Sequence, residues 1–145
     1  MVKSFSLSFL SGVILLTLCL NSGCKKKNET NVPYEKVDIY IYPSQPLYNN
    51  LNNIGGWVYV SGGYKGIIVY RKDQTTFNAY ERACTFDPEE SCSIIKVSAD
   101  NLTCVDSCCG SKFLIVDGSV INGPATLGMV QYQTTWDGTV LHIVN

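Results

Sequence analysis

Histidine is almost missing from this sequence: His142 is the single one in 145 residues. That scarcity excludes a histidine-rich metal site and leaves no spare imidazole for a Ser-His-Asp centre. Charge is thin as well. Eleven Lys and Arg stand against 12 Asp and Glu, a formal net charge of −1, so there is no basic field of the kind that holds a nucleic-acid backbone. No segment sustains an apolar period of 3.6, which removes helices as the main building element. The sequence also lacks a phosphate-cradling glycine loop, a Cys-x-x-Cys knuckle and a nucleophile–base constellation. No residue reads as catalytic: Glu89-Glu90 looks like a solvated turn, and His142 like a partly exposed strand residue.

Cysteine is what the chain has in excess, seven in all, within a composition that is 46% hydrophobic. The length suits one domain with a proper core. Its N-terminus reads as an export signal over residues 1–23: Lys3, an apolar run from Phe5 to Leu20, then Asn21-Ser22-Gly23 before Cys24. The alternative, a transmembrane anchor, asks for about 20 consecutive apolar residues, and this run is shorter and carries serines. Ser22-Gly23-Cys24 resembles a bacterial lipobox, which implies that Cys24 is lipidated. Acylated Cys24 would then hold the protein to the lipid bilayer in the cell envelope, at the outer membrane or a periplasmic face. Residues 24–35 are polar and read as a flexible tether. Lys25-Lys26-Lys27 would either touch anionic headgroups or be solvated.

Cys19 leaves with the signal and Cys24 goes to lipid. Cys84, Cys92, Cys104, Cys108 and Cys109 remain, in a compartment where disulfides persist. Their number is odd, so at least one thiol stays free or pairs with another molecule.

From Val37 onward the chain reads as short strands. Val37–Tyr42 is β-rich and stopped by Pro43; Pro46–Asn53 is a loop with a little apolar content; Trp57–Val60 follows Gly55-Gly56. Gly66–Tyr70 is a continuous β-branched run and predicts a strand buried on both faces. Phe77–Glu81 alternates and leads into Cys84. Hairpins are expected around Ala99-Asp100, Asp117-Gly118 and Asp137-Gly138. Roughly nine short strands at this spacing predict an all-β sandwich or small barrel. Trp57, Tyr40, Tyr42, Tyr59 and Tyr70 are expected in the core or in cross-strand pairs rather than on a sugar-binding surface.

Three tracts carry a more specific pattern: Cys84-Thr85-Phe86, Cys108-Cys109-Gly110-Ser111-Lys112-Phe113, and Gly123-Pro124-Ala125. Together, over about residues 36–145, they resemble the Rieske iron–sulfur domain. Its two ligand loops read Cys-Thr-His and Cys-x-x-His-Gly-Ser, followed later by Gly-Pro-Ala. In that family two cysteines hold one iron and two histidines the other. The resemblance implies an antiparallel β base with a small inserted cluster-binding-type subdomain, here about residues 84–124. It places Cys84 on the first cysteine, Phe86 on the first histidine, Asp106 on the second cysteine and Cys109 on the second histidine. Phe86 cannot ligate iron, so no ordinary cluster and no other cofactor or metal is expected. Ser111, which resembles a family serine bonded to a cluster sulfide, is expected to serve the turn after Gly110 instead.

Strand alternation sends Cys108 and Cys109 to opposite faces and hence to different partners, without saying which. The resemblance supplies the partners: Cys84–Cys109 across the emptied site and Cys92–Cys108 between the two loops, with Cys104 free. Each bridge would contribute about 3 kcal/mol. Four thiols from Cys84, Cys92, Cys104 and Cys108 could instead hold zinc, though without the usual knuckle. The expected function is a membrane-anchored binding or structural module for an unknown envelope protein or ligand, not an enzyme. An electron carrier with an atypical [2Fe–2S] cluster and a thiol–disulfide redox protein using Cys108-Cys109 are the alternatives.

Overall fold

The computed structural model describes residues 30–145. The export signal, Cys19, the lipidation cysteine Cys24 and the first part of the 24–35 tether lie outside the described residues. Ten strands form two antiparallel sheets: β1 (Asp38–Ile41), β2 (Trp57–Val60), β3 (Ile67–Arg71), β4 (Phe77–Glu81), β5 (Ile95–Val97), β6 (Thr103–Asp106), β7 (Lys112–Leu114), β8 (Val120–Asn122), β9 (Gln131–Trp136) and β10 (Leu141–Val144). The larger sheet has six strands in the order β1-β10-β9-β4-β3-β2, and the smaller has four in the order β5-β6-β7-β8. The described residues form an all-β fold with one short helix.

One stretch departs from expectation. Pro46–Asn52 is a 3-10 helix, not a loop, and it buries Leu51. Proline at the helix start has its φ already set for the turn. Arg71 holds the other end, donating from Nη1 to the Leu51 carbonyl at 3.0 Å while its Nη2 reaches the Gln74 carbonyl at 2.9 Å.

Strands β3 and β4 are the wall between two cores. Because side chains alternate along a strand, Ile67 and Val69 of β3 and Phe77 and Ala79 of β4 enter one core, with Leu51, Ile41, Leu141 and Ile143. Ile68, Tyr70 and Tyr80 face the other way and pack against Ile95, Cys104, Phe113, Ile115 and Met129 of the smaller sheet and its loops. All of β4 is therefore buried, where alternation alone predicted one buried face.

The smaller sheet lies in sequence between β4 and β9, and those two strands pair directly, Ala79 opposite Tyr132 and Tyr80 opposite Gln131. The excursion from residue 82 to 129 thus leaves and re-enters the larger sheet at one place, where the Glu81 amide donates to the Val130 carbonyl at 2.9 Å.

Glu81 closes that junction from inside. It is 1% exposed, and its carboxylate accepts from the Tyr64 amide at 2.7 Å, the Lys65 and Ala83 amides at 2.9 Å, and the Tyr132 hydroxyl at 2.6 Å. A buried carboxylate is tolerable only with donors of this kind around it. Gly63 lets the β2–β3 turn approach: its φ is +62°, and a Cβ there would come within 2.3 Å of Glu81 Oε2.

The aromatic residues divide between core and surface. Tyr70 is buried; Tyr40 stacks on His142 with ring centroids 4.3 Å apart, and Trp57 meets Tyr59 edge-on at 5.0 Å. His142 is half-buried in β10 and contacts Asp38 Oδ1 at 2.8 Å.

Candidate functional site

Three loops meet at one end of the smaller sheet. The first leaves β4 through Cys84-Thr85-Phe86; the second is the β6–β7 turn, Ser107-Cys108-Cys109-Gly110; the third is Gly123-Pro124-Ala125 to Leu127. The second turn is set by Asp106. Its carbonyl accepts the Gly110 amide at 2.8 Å, and its Oδ1 accepts the Cys108 amide at 2.9 Å. Gly110, at φ +78°, supplies the left-handed step that returns the chain to β7.

Long-range bonds sew the loops together. The Thr85 hydroxyl donates to the Leu127 carbonyl at 2.7 Å, joining the first loop to the third. Ser111 Oγ accepts the Ala125 amide at 2.9 Å, joining the second to the third. Ser111 therefore works across 14 residues and not only in its own turn. Cys92 and Cys108 form a disulfide with Cα atoms 5.3 Å apart, linking the stretch after the first loop to the second. Beside it, the buried Ser93 hydroxyl donates to Asp106 Oδ2 at 3.1 Å.

Cys84 and Cys109 face each other between these ties, but as thiols. Their sulfurs are 3.7 Å apart, well beyond the roughly 2.05 Å of a disulfide, so the expected Cys84–Cys109 bridge is not formed here. The neighbours make the open pair tolerable. Cys109 Sγ donates to Asp106 Oδ2 at 3.3 Å and has the Ser111 hydroxyl at 3.0 Å, so each sulfur has polar partners without a bond between them. One consistent set of directions runs Cys84 S–H to Cys109 Sγ, Cys109 S–H to Asp106, and Ser111 O–H to Cys109. Cys104 is also a free thiol, buried in β6.

Of the four positions that the resemblance marks, Cys84, Asp106 and Cys109 bring their donor atoms within 4.8 Å of one another. Phe86 does not join them. It is 51% exposed and forms the rim of a pocket of about 310 Å³ together with Pro124, Asp87 and Glu90. Asp106 and Cys109 line the pocket floor. Three donors fall short of the four that a Rieske centre requires, and sulfurs 3.7 Å apart leave no room between them for two irons and their sulfides. Zinc on Cys84, Cys92, Cys104 and Cys108 does not fit either, because Cys92 and Cys108 are bonded to each other.

Sequence reasoning missed Glu81 and Ser93, and gave Thr85 only a place in the first tract. A signal existed for the first: Glu81 continues the Phe77, Ala79 face and follows a Gly-Gly turn that could approach it. Ser93 is bland in sequence, and only the meeting of the loops gives it and Thr85 their partners.

Burial pushes the Cys84 thiol up to about 12, and burial likewise pushes Cys104 up to about 12. In the unfolded chain both thiols ionise near 9. Above that pH the unfolded state loses protons that the folded state keeps, so stability falls as pH rises. The fold is expected to lose stability between about pH 9 and 12, at up to about 1.4 kcal/mol per pH unit for each thiol. Denaturant titrations of wild type and C104A across that range check it, with a shallower fall in the variant.

Compared with known proteins, the chain matches no protein-family model, and no curated protein matches it.

Proposed function

We propose that this chain is a membrane-anchored envelope lipoprotein with a Rieske-like β fold that has lost iron–sulfur ligation and acts as a disulfide-stabilised binding and structural module. One observation carries the reading: three of the four positions corresponding to cluster ligands converge, the fourth is the exposed Phe86, and a Cys92–Cys108 bridge ties the loops that a cluster would otherwise hold. The four-stranded sheet carried between paired strands β4 and β9 supports the same architecture. Anchoring through acylated Cys24 belongs to this reading on the strength of the lipobox resemblance.

Iron analysis tests it. The full-length protein, isolated anaerobically, is expected to be colourless, with iron and labile sulfide far below stoichiometric. About one to two irons per chain with matching labile sulfide, and a paramagnetic signal on reduction, would establish the electron carrier instead.

A second reading, thiol–disulfide exchange, passes from the expected Cys108-Cys109 pair, since Cys108 is bonded to Cys92, to the facing thiols of Cys84 and Cys109 at 3.7 Å, with Cys109 half-exposed. Closing the pair releases two protons and two electrons to an oxidant. A reduction potential above about −300 mV for Cys84/Cys109 supports exchange, whereas a lower one marks a structural bridge.

A further inference from the structure

We propose that Cys84, Asp106 and Cys109 bind one borderline-soft divalent cation, with zinc the ion whose coordination fits, and that this ion is a ligand of the module. The inference rests on the reading above, since it needs a site free of iron and sulfide.

Donor chemistry and spacing carry it. Two thiols and a carboxylate are the ligand types zinc takes, and a catalytic-type site keeps three protein ligands with the fourth position open. A tetrahedral ion with bonds of about 2.3 Å to sulfur holds its two sulfurs about 3.8 Å apart; Cys84 and Cys109 stand at 3.7 Å. With an oxygen bond near 2.1 Å, the sulfur–oxygen edge is about 3.6 Å; Cys109 Sγ and Asp106 Oδ2 are at 3.3 Å. Two of the three ligand edges thus lie close to those of one tetrahedron, and the third, Cys84 to Asp106, is within 4.8 Å.

The surroundings hold them there. The Cys108 amide fixes Asp106 Oδ1, the Ser93 hydroxyl reaches Oδ2, and the Ser111 hydroxyl lies 3.0 Å from Cys109 Sγ. Such partners orient ligands and tune them toward a metal. The pocket lining contributes the carboxylates of Asp87 and Glu90, while the one ammonium beside it, Lys65, is engaged by the Glu90 and Ser93 carbonyls. As the ion binds, each thiol releases its proton to solvent, and the two thiolates with the carboxylate leave the site at net −1. An open fourth position on the pocket side can take water or a donor from a partner.

The test uses cobalt as a visible probe. Full-length protein with the Cys92–Cys108 bridge intact and Cys84 and Cys109 as thiols is titrated anaerobically with Co²⁺, and the sulfur-to-cobalt charge-transfer band is followed. One ion per chain is expected, displaced by Zn²⁺. The band should disappear in C109S and C84S, weaken by about tenfold or more in affinity in D106N, and persist in C104A. In unaltered protein, Zn²⁺ should slow alkylation of Cys109 by about tenfold or more, because a coordinated sulfur is a poor nucleophile; this arm requires no variant to fold. A band that survives C84S or C109S, or alkylation that zinc does not slow, overturns the inference. Absence of cobalt binding in protein free of iron and labile sulfide overturns it while leaving the module reading in place. Stoichiometric iron and sulfide in the isolated protein overturn both.

Discussion

Glu81→Ala is expected to destabilise the protein by about 4 kcal/mol or more, since each buried donor left unsatisfied costs about 1–3 kcal/mol. Four donors point at this carboxylate: three backbone amides and the Tyr132 hydroxyl. The amides come from both ends of the junction, Tyr64 and Lys65 in the β2–β3 turn and Ala83 at the start of the first site loop. Alanine strands them all in a place that water barely reaches. The Tyr132 hydroxyl is already held well above its ordinary range by burial and by Glu81, so it cannot recover by ionising. Glu81→Gln keeps the shape but turns an amide group toward donors it cannot accept from, and should fall between alanine and wild type. Urea unfolding followed by tryptophan fluorescence reads the loss as a lower midpoint with an unchanged slope. A loss under about 1 kcal/mol for alanine would mean that the donors find other partners.

The second large effect is expected from the disulfide. Replacing Cys92 and Cys108 together by serine should cost about 3 kcal/mol, given a sequence separation of 16. Both cysteines are exposed, so serine is solvated at either position and the loss reflects the missing tie rather than a buried hydroxyl. In a domain of this size that corresponds to a fall in Tm of about 10 °C or more. The loops should loosen before the frame does. Cys109 alkylation in the double variant is expected to quicken under native conditions, while far-ultraviolet dichroism stays that of a β protein. Equal Tm values for the two proteins would show that the hydrogen bonds of Thr85, Ser93 and Ser111 hold the loops unaided.

Most of the frame was legible from local pattern. Trp57–Val60 and the apolar run after Gly66 became β2 and β3, with β3 buried on both faces as its unbroken β-branched run implies. Asp117-Gly118 and Asp137-Gly138 are turns, with both glycines at positive φ. The 3-10 helix at Pro46–Asn52 was not legible, because seven residues of mostly polar sequence carry too little period to distinguish it from a loop. Nor was the complete burial of β4. Alternation reports what one strand could hide from water; whether its second face is covered depends on a separate sheet, β5 to β8, formed later in the chain.

At the site, the convergence of Cys84, Asp106 and Cys109 could be anticipated only through a family resemblance, since nothing local to these residues indicates that they meet. Cys92–Cys108 came from the same source. The thiol state of Cys84 and Cys109 was beyond sequence, because it turns on Asp106 and Ser111 giving the sulfurs polar company.

The paired β4–β9 junction has an evolutionary consequence. An excursion that starts and ends on neighbouring rungs is, by connectivity, the easiest kind of segment to delete, since a short linker would reclose the frame. Solvation forbids it. Without the small sheet, Ile68, Tyr70 and Tyr80 would be laid bare on the second face of β3 and β4, an apolar patch that invites aggregation. Selection for a soluble frame therefore preserves the excursion whatever its loops bind. Residues in the loops at the tip are free to vary, while the sheet beneath them cannot be discarded.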